Sequence, residues 1–283
     1  MSDSGSNAAT NAASSTAANA VTNHADGRII TEKRGRVFII KLDRPQKLNG
    51  FSVKMIKELA AAYTAFEADA EAWVGLLCAE GAHFTAGLQL DQIGPYMARG
   101  ESLWPDGAID PFGLREPKRS KPLVAAVQGI TYTIGIELML AADVVVAAHD
   151  CRFAQLEVKR GIMATGGATI RMAERAGWGN AMRYLLTGDE FDVTTALRLG
   201  FVQEVAPTGL QFDRAMEIAN RIAAQAPLAV RATIASTRKM VEQGQNAAVA
   251  EFRSLQAALA NSTDAKEGVA SFVDKRDAQF VGK

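Results

Sequence analysis

Residues 121–143 read KPLVAAVQGITYTIGIELMLAAD. The apolar run from Leu123 to Val127, ended at Gly129, predicts a buried strand that closes at Val127. A tight turn then feeds straight into a helix from near Ile134. The continuation to residue 171 closes with FAQLEVKRGIMATGGATIR. Two acidic residues stand in this stretch, Glu137 and Glu157, the first of them among Ile136, Leu138, Met139 and Leu140. A carboxylate buried without a partner is costly, so each of the two needs a physical reason for its place.

The turn ahead of Ile134 supplies one candidate reason. The first N–H groups of a helix lack partners inside it and point back toward the mouth of the preceding strand, where they stabilise negative charge. A second strand, AWVGLLCAE, ends in GAHFTAGLQL, which places the small residues Ala86 and Gly87 beside Leu88 at another strand end. N–H groups from both places would form a two-donor cradle for the oxygen of a polarised carbonyl. A packing turn at Gly87 would use the same residues. Glu137 also fits a glutamate complementing the dipole of its own helix, although a capping box would need Ser or Thr where Ile134 stands. Glu157 follows Phe153 and Gln155 on one face if the strand continues, and could equally pair with Lys159 or Arg160 on the surface. Were both carboxylates to converge on the cradle, one could hold a water while the other handles a proton.

Working outward, RIITEK and RGRVFIIKLDRP read as two strands joined at Arg34 and Gly35, with Val37, Ile39 and Leu42 in the core. Ser52 is the expected N-cap of a helix in which Met55, Leu59, Tyr63 and Phe66 recur at helical spacing. A short helix from Gln89 is expected to end or kink at Gly94 and Pro95. Residues 99–120 hold Trp104, Ile109, Phe112 and Leu114 among three prolines and three glycines, and read as a loop folded back over a site. Beyond residue 171 the pattern is helical, broken by a short strand at FVQEV, with amphipathic runs over 211–224 and 227–243. The alternation of strands and helices predicts an α/β fold with terminal helices that pack outward. The first residues are almost all Ala, Ser, Asn and Thr, without the pattern of a secretory or transit signal, and predict a disordered tail over 1–27.

Composition narrows the function. Of the 283 residues 48% are apolar, and 31 basic side chains balance 31 acidic ones, so no global field draws in nucleic acid or an anionic membrane. Cys78 and Cys151 predict two buried free thiols in a reducing, cytoplasmic setting. The three histidines show no metal-ligand spacing, and no glycine-rich phosphate motif or GxSxG elbow is present. No metal site is expected.

Six signposts in order give a more specific reading: LDRPQKLNGFS, GAHFTAGLQL, KPLVAAVQGITYTIGIELMLAAD, FAQLEVKRGIMATGGATIRM, LTGDEFDVTTALRLGFVQEV and FVDKRDAQF. Together they resemble the crotonase family, the enoyl-CoA hydratases and isomerases, over residues 28–281. The resemblance implies a spiral of ββα units over residues 28–208 and a C-terminal helical region over 209–283 that builds homotrimers, often paired into hexamers. It implies an acyl-CoA thioester substrate, no separate cofactor, backbone oxyanion donors at Leu88 and Ile134, and catalytic carboxylates at Glu137 and Glu157. Lys47, Ala86 and Gly87 fall at positions that line the substrate. Both glutamates favour hydration of a 2-enoyl-CoA; isomerisation, another thioester reaction, or acyl-CoA binding without catalysis are the alternatives. This chain departs from the family pattern at Thr133, Ile134 and Gly135, where a glycine triplet is usual, at Gln89 for Asp, at Leu156 for Pro, and in ATGGAT for PGAGGT.

Overall fold

Two buried faces of one sheet organise the chain, and the computed structural model describes residues 25–283. Strands β1 (Arg28–Arg34) and β2 (Val37–Asp43) form an antiparallel hairpin, and helix α1 (Val53–Ala68) follows. Ser52 caps α1 as expected, its Oγ accepting from Met55 N at 3.2 Å. Next come β3 (Val74–Ala79), α2 (Leu90–Ala98), β4 (Leu123–Val127), β5 (Ile130–Tyr132), α3 (Ile134–Ala141), β6 (Val144–Ala148) and β7 (Arg152–Ala154). Helices α4 (Ala168–Ala176) and α5 (Trp178–Thr187), strand β8 (Phe191–Asp192), helix α6 (Val193–Arg198) and strand β9 (Glu204–Ala206) complete the sheets. Four helices end the chain: α7 (Gln211–Ala223), α8 (Pro227–Gln243), α9 (Gln245–Ala260) and α10 (Thr263–Asp274).

The larger sheet runs β1-β2-β3-β4-β6-β9, parallel from β2 onward. A parallel sheet is covered on both faces, so its strands read as continuous apolar runs whose alternate residues serve two cores. Phe38, Ile40, Leu77, Ala125 and Val145 point into the main core with α1 and α3. Val37, Ile39, Leu76, Val124 and Val146 point the other way, under Ala215 and Ala219 of α7. The smaller sheet runs β5-β7-β8 and is extended by single parallel bridges, Phe51 to Leu88 and Thr85 to Thr131. Each turn of the chain therefore passes from a long strand to a short inner strand or bridge and then to a helix. This is a spiral of ββα units, the crotonase fold.

Several local expectations change. The turn before α3 contains β5, whose Tyr132 N donates to Thr85 O at 3.0 Å. Helix α2 runs through Pro95 to Ala98, because the missing N–H removes one rung while buried Ile93 anchors the helix in the core. The FVQEV strand starts only at Glu204, since the amides of Phe201 and Val202 are taken by Ala196 O at the end of α6. Strand β7 ends at Ala154, whose carbonyl accepts from Thr133 N at 2.9 Å as the last rung to β5, so the strand does not continue to Glu157, which opens a short 3-10 helix, Glu157–Arg160. Cys78 and Cys151 are buried and free, as expected. Of the expected tail, residues 1–24 lie outside the described residues, while the carbonyls of Ala25, Asp26 and Gly27 accept from Arg44, Ser52 and Lys54. Among the described residues no helix is long and apolar enough to cross a membrane.

Candidate active site

Helix α3 carries Glu137 and is apolar all round, which fits a helix enclosed by protein on every side. Arginines hold its C-terminal carbonyls: Arg175 Nη2 donates to Leu140 O at 2.7 Å and Arg119 Nη2 to Ala141 O at 2.8 Å. Arg119 also pairs with Asp143 at 2.8 Å. Glu137 itself is only 6% exposed. Its Oε1 accepts from Gly166 N at 2.6 Å and more weakly from Ala168 N at 3.4 Å. The carboxylate therefore caps the N-terminus of α4 rather than serving its own helix, and so differs from the dipole reading of the sequence. Burial raises its pKa to about 7, the negative charge of Glu157 adds to the rise, and the two amides and Arg171 oppose it.

Glu157 is half-buried and makes no ion pair with Lys159 or Arg160 among the described residues. Its Oε2 is buried and without a partner among them, and burial raises its pKa. The charge of Glu157 is felt at Glu137 and adds to the rise of its pKa, so the two carboxyl groups lie within electrostatic reach of each other.

The two expected donor positions also come together. Leu88 and Ile134 each follow a residue in unusual backbone: Gly87 at φ +118° and Thr133 at φ +48°, ψ −115°. These two preceding residues touch. A Cβ added to Gly87 would lie 2.5 Å from Thr133 Oγ1, so only glycine fits there. The neighbouring amides are occupied, Gly87 N on Thr85 Oγ1 and Thr133 N on Ala154 O, whereas the N–H groups of Leu88 and Ile134 enter no hydrogen bond among the described residues. The Ile134 side chain, where a glycine is usual, turns into the apolar core and is 3% exposed.

Beside Leu88 a cavity of about 410 Å³ is lined by Arg44, Lys47, Gly50, Ala86, Gly87, Leu88, Gln89 and Asp91. Lys47 is exposed on its rim at the end of a 3-10 turn. Gln89, standing where Asp is usual, accepts from Arg44 Nη1 at 2.7 Å.

Three contributors carried no clear signal in the sequence. Asn49, fully buried and at φ +51°, accepts from Arg44 N and donates to Glu80 O and His83 O, so it ties the cavity loop to the end of β3. Arg171 donates to Phe112 O at 2.6 Å and lies over Gly167. Gly166 could have been found from the GG pair just ahead of a helix start, a place where backbone donors gather.

The family model for enoyl-CoA hydratase/isomerase matches residues 32–283. The chain is similar to the 2,3-dehydroadipyl-CoA hydratase of Escherichia coli K12, at 29% identity over 90% of this chain and 99% of that one. It is similar to a probable enoyl-CoA hydratase of Rhizobium meliloti at 32% identity over 89% and 97%. Among solved structures it resembles a probable enoyl-CoA hydratase/isomerase from Mycobacterium abscessus, with 45% identity, a TM-score of 0.87 and coverage of 90% and 98%. An enoyl-CoA hydratase from Mycobacterium tuberculosis H37Rv gives 35% identity, a TM-score of 0.80 and coverage of 90% and 99%. Fold, signposts and relatives agree, and the chain belongs to the enoyl-CoA hydratase/isomerase family.

Proposed function

We propose that the protein is an enoyl-CoA hydratase, which adds water across the 2,3 double bond of a 2-enoyl-CoA thioester. The observation that carries this reading is that Glu137 and Glu157 lie within electrostatic reach of each other, in a chain whose adjoining turns at Gly87 and Thr133 leave the N–H groups of Leu88 and Ile134 without a partner among the described residues. A site with one carboxylate would suit proton shuttling within the substrate; two suit water addition, which needs a base and an acid at once.

In this reading the thioester oxygen lies between the amides of Leu88 and Ile134, which stabilise the charge that develops on it; one such donor contributes about 3 kcal/mol. Glu137 is anchored through Oε1 to Gly166 and aims its other oxygen at the water. It takes one proton as the water oxygen bonds to Cβ, while Glu157 delivers its own proton to Cα. Burial pushes both carboxyl groups up, and the charge of Glu157 pushes Glu137 further, which favours the protonated form that a proton donor needs. The step needs no metal and no redox cofactor. Lys47 and the 410 Å³ cavity accept the coenzyme A part of the substrate, with the ammonium of Lys47 meeting its phosphates. The same reading includes a homotrimer, or two trimers paired, built through the C-terminal helices.

Separate incubation with a 2-enoyl-CoA and a 3-enoyl-CoA tests the reading. Formation of the 3-hydroxyacyl-CoA from the first supports it. Conversion of the second to the first with no water uptake would make the protein an isomerase.

A further inference from the structure

We propose that Phe112 and Trp104 form a wall across the acyl end of this site and restrict it to short apolar acyl groups. The inference rests on the thioester reading above and adds a substrate class to it. It starts from Gly166. A Cβ built on Gly166 would lie 2.5 Å from Glu137 Oε2 and 3.0 Å from Phe112 Cε1, so the edge of the Phe112 ring faces the carboxylate across a single backbone position. The Trp104 ring meets Phe112 edge to face, with centroids 5.2 Å apart and planes at 84°. Leu114 continues the apolar surface, its Cδ1 3.6 Å from a Cβ position on Gly167.

The wall is held in place. Asp110, itself buried, accepts from the amides of Phe112, Leu114 and Arg115, each at 3.0 Å. Arg171 fixes the carbonyl of Phe112, and Ile109 N donates to Thr64 Oγ1 on α1 at 3.0 Å. Phe112 is 5% exposed, so its ring is not free to swing into solvent. Ile134 belongs to the same apolar cluster as Phe112, with four side-chain carbons where a glycine has none.

Placement turns this into selection. The carboxylate that activates water has to lie within reach of Cβ, so the carbons beyond Cβ approach the part of the pocket next to Glu137. There they meet the Phe112 ring after a short run. A long acyl chain would have to displace a buried ring whose backbone is pinned at both amide and carbonyl.

The test is calorimetric titration of the full chain with butyryl-CoA, octanoyl-CoA and dodecanoyl-CoA, saturated thioesters whose binding does not depend on turnover. The wild-type protein is expected to bind butyryl-CoA ~10-fold or more tightly than dodecanoyl-CoA, and Phe112→Ala or Trp104→Ala to shift that ratio ~10-fold toward the longer chain. Phe112→Leu and Trp104→Ala, which remove less core, decide the matter if Phe112→Ala does not fold. Equal wild-type affinity for short and long chains, or an unchanged ratio in the folded variants, overturns the wall and leaves the thioester reading standing. Absence of binding by all three thioesters overturns both.

Discussion

Gly166 and Glu137 are locked together: the glycine amide donates to Oε1 at 2.6 Å, and its Cα is so close that a methyl group there would sit 2.5 Å from Oε2. One residue thus anchors the carboxylate and leaves it no room to turn. Gly166→Ala is expected to destabilise the fold by about 2 kcal/mol, as overpacking of a closed core does. It should also lower turnover by at least ~10²-fold, since a misplacement of about 1 Å at a reacting group costs that much. Thermal unfolding and steady-state hydration of the purified variant check both numbers.

The raised pKa of Glu137 has two readouts. Its folded value of about 7 lies above the ordinary 4.5 because burial disfavours the charged form. Between these values the native protein holds a proton that the unfolded chain has released, so this group's contribution to stability is present below about 4.5, falls as pH rises through the window, and is lost above about 7. The difference is on the order of 3 kcal/mol. Glu137→Gln, always neutral, is expected to be more stable than wild type at pH 8 and to lose the advantage under acid conditions. In the active protein kcat/KM should rise through pH 7 as the base ionises. Melting and rate profiles against pH test the pair.

Thr133 stands at φ +48°, a region that disfavours a β-branched side chain by about 1–3 kcal/mol. Thr133→Gly is expected to raise stability by ~1 kcal/mol or more. Gly87→Ala should do the opposite, because its methyl group would meet Thr133 Oγ1 at 2.5 Å. In the Thr133→Gly background part of that cost disappears. A double-mutant cycle measured by chemical unfolding gives the coupling, expected at ~1 kcal/mol between touching residues.

The strand at 123–127 and the helix from Ile134 were legible because a β-rich apolar run, a glycine and a longer apolar run follow in order. The six spaced motifs made the ββα spiral legible as well. β5 was not, since three residues between a glycine and a helix carry too little periodicity to declare a strand; its pairing with β7 comes from far along the chain. Whether the strand reaches Glu157 was left open for the same reason: β7 ends with its last rung to β5 at Ala154, a pairing across the fold. The partners of Glu137 were hidden too. Gly166 lies 29 positions away, and only the folded chain shows which carboxylate caps α4.

Phe272, Val273 and Val269 on α10 are 85%, 71% and 68% exposed, and Phe252 on α9 adds to an apolar surface unusual for a lone chain. Light scattering is expected to give the mass of three chains or a multiple of three. Phe272→Asp should shift the distribution toward monomer, because burying a charge in the proposed trimer interface without a partner is costly. A wild-type monomer would contradict the assembly.

Glu157→Gln decides whether Glu157 is the acid that protonates Cα. The substitution keeps shape and hydrogen-bonding capacity while removing the proton that the proposed mechanism delivers to Cα. Hydration of crotonyl-CoA, followed by loss of the enoyl-thioester absorbance, should proceed in the wild-type protein and fall by ~10³-fold or more in the variant, with the melting temperature unchanged or higher. Equal turnover in the two proteins would contradict the account.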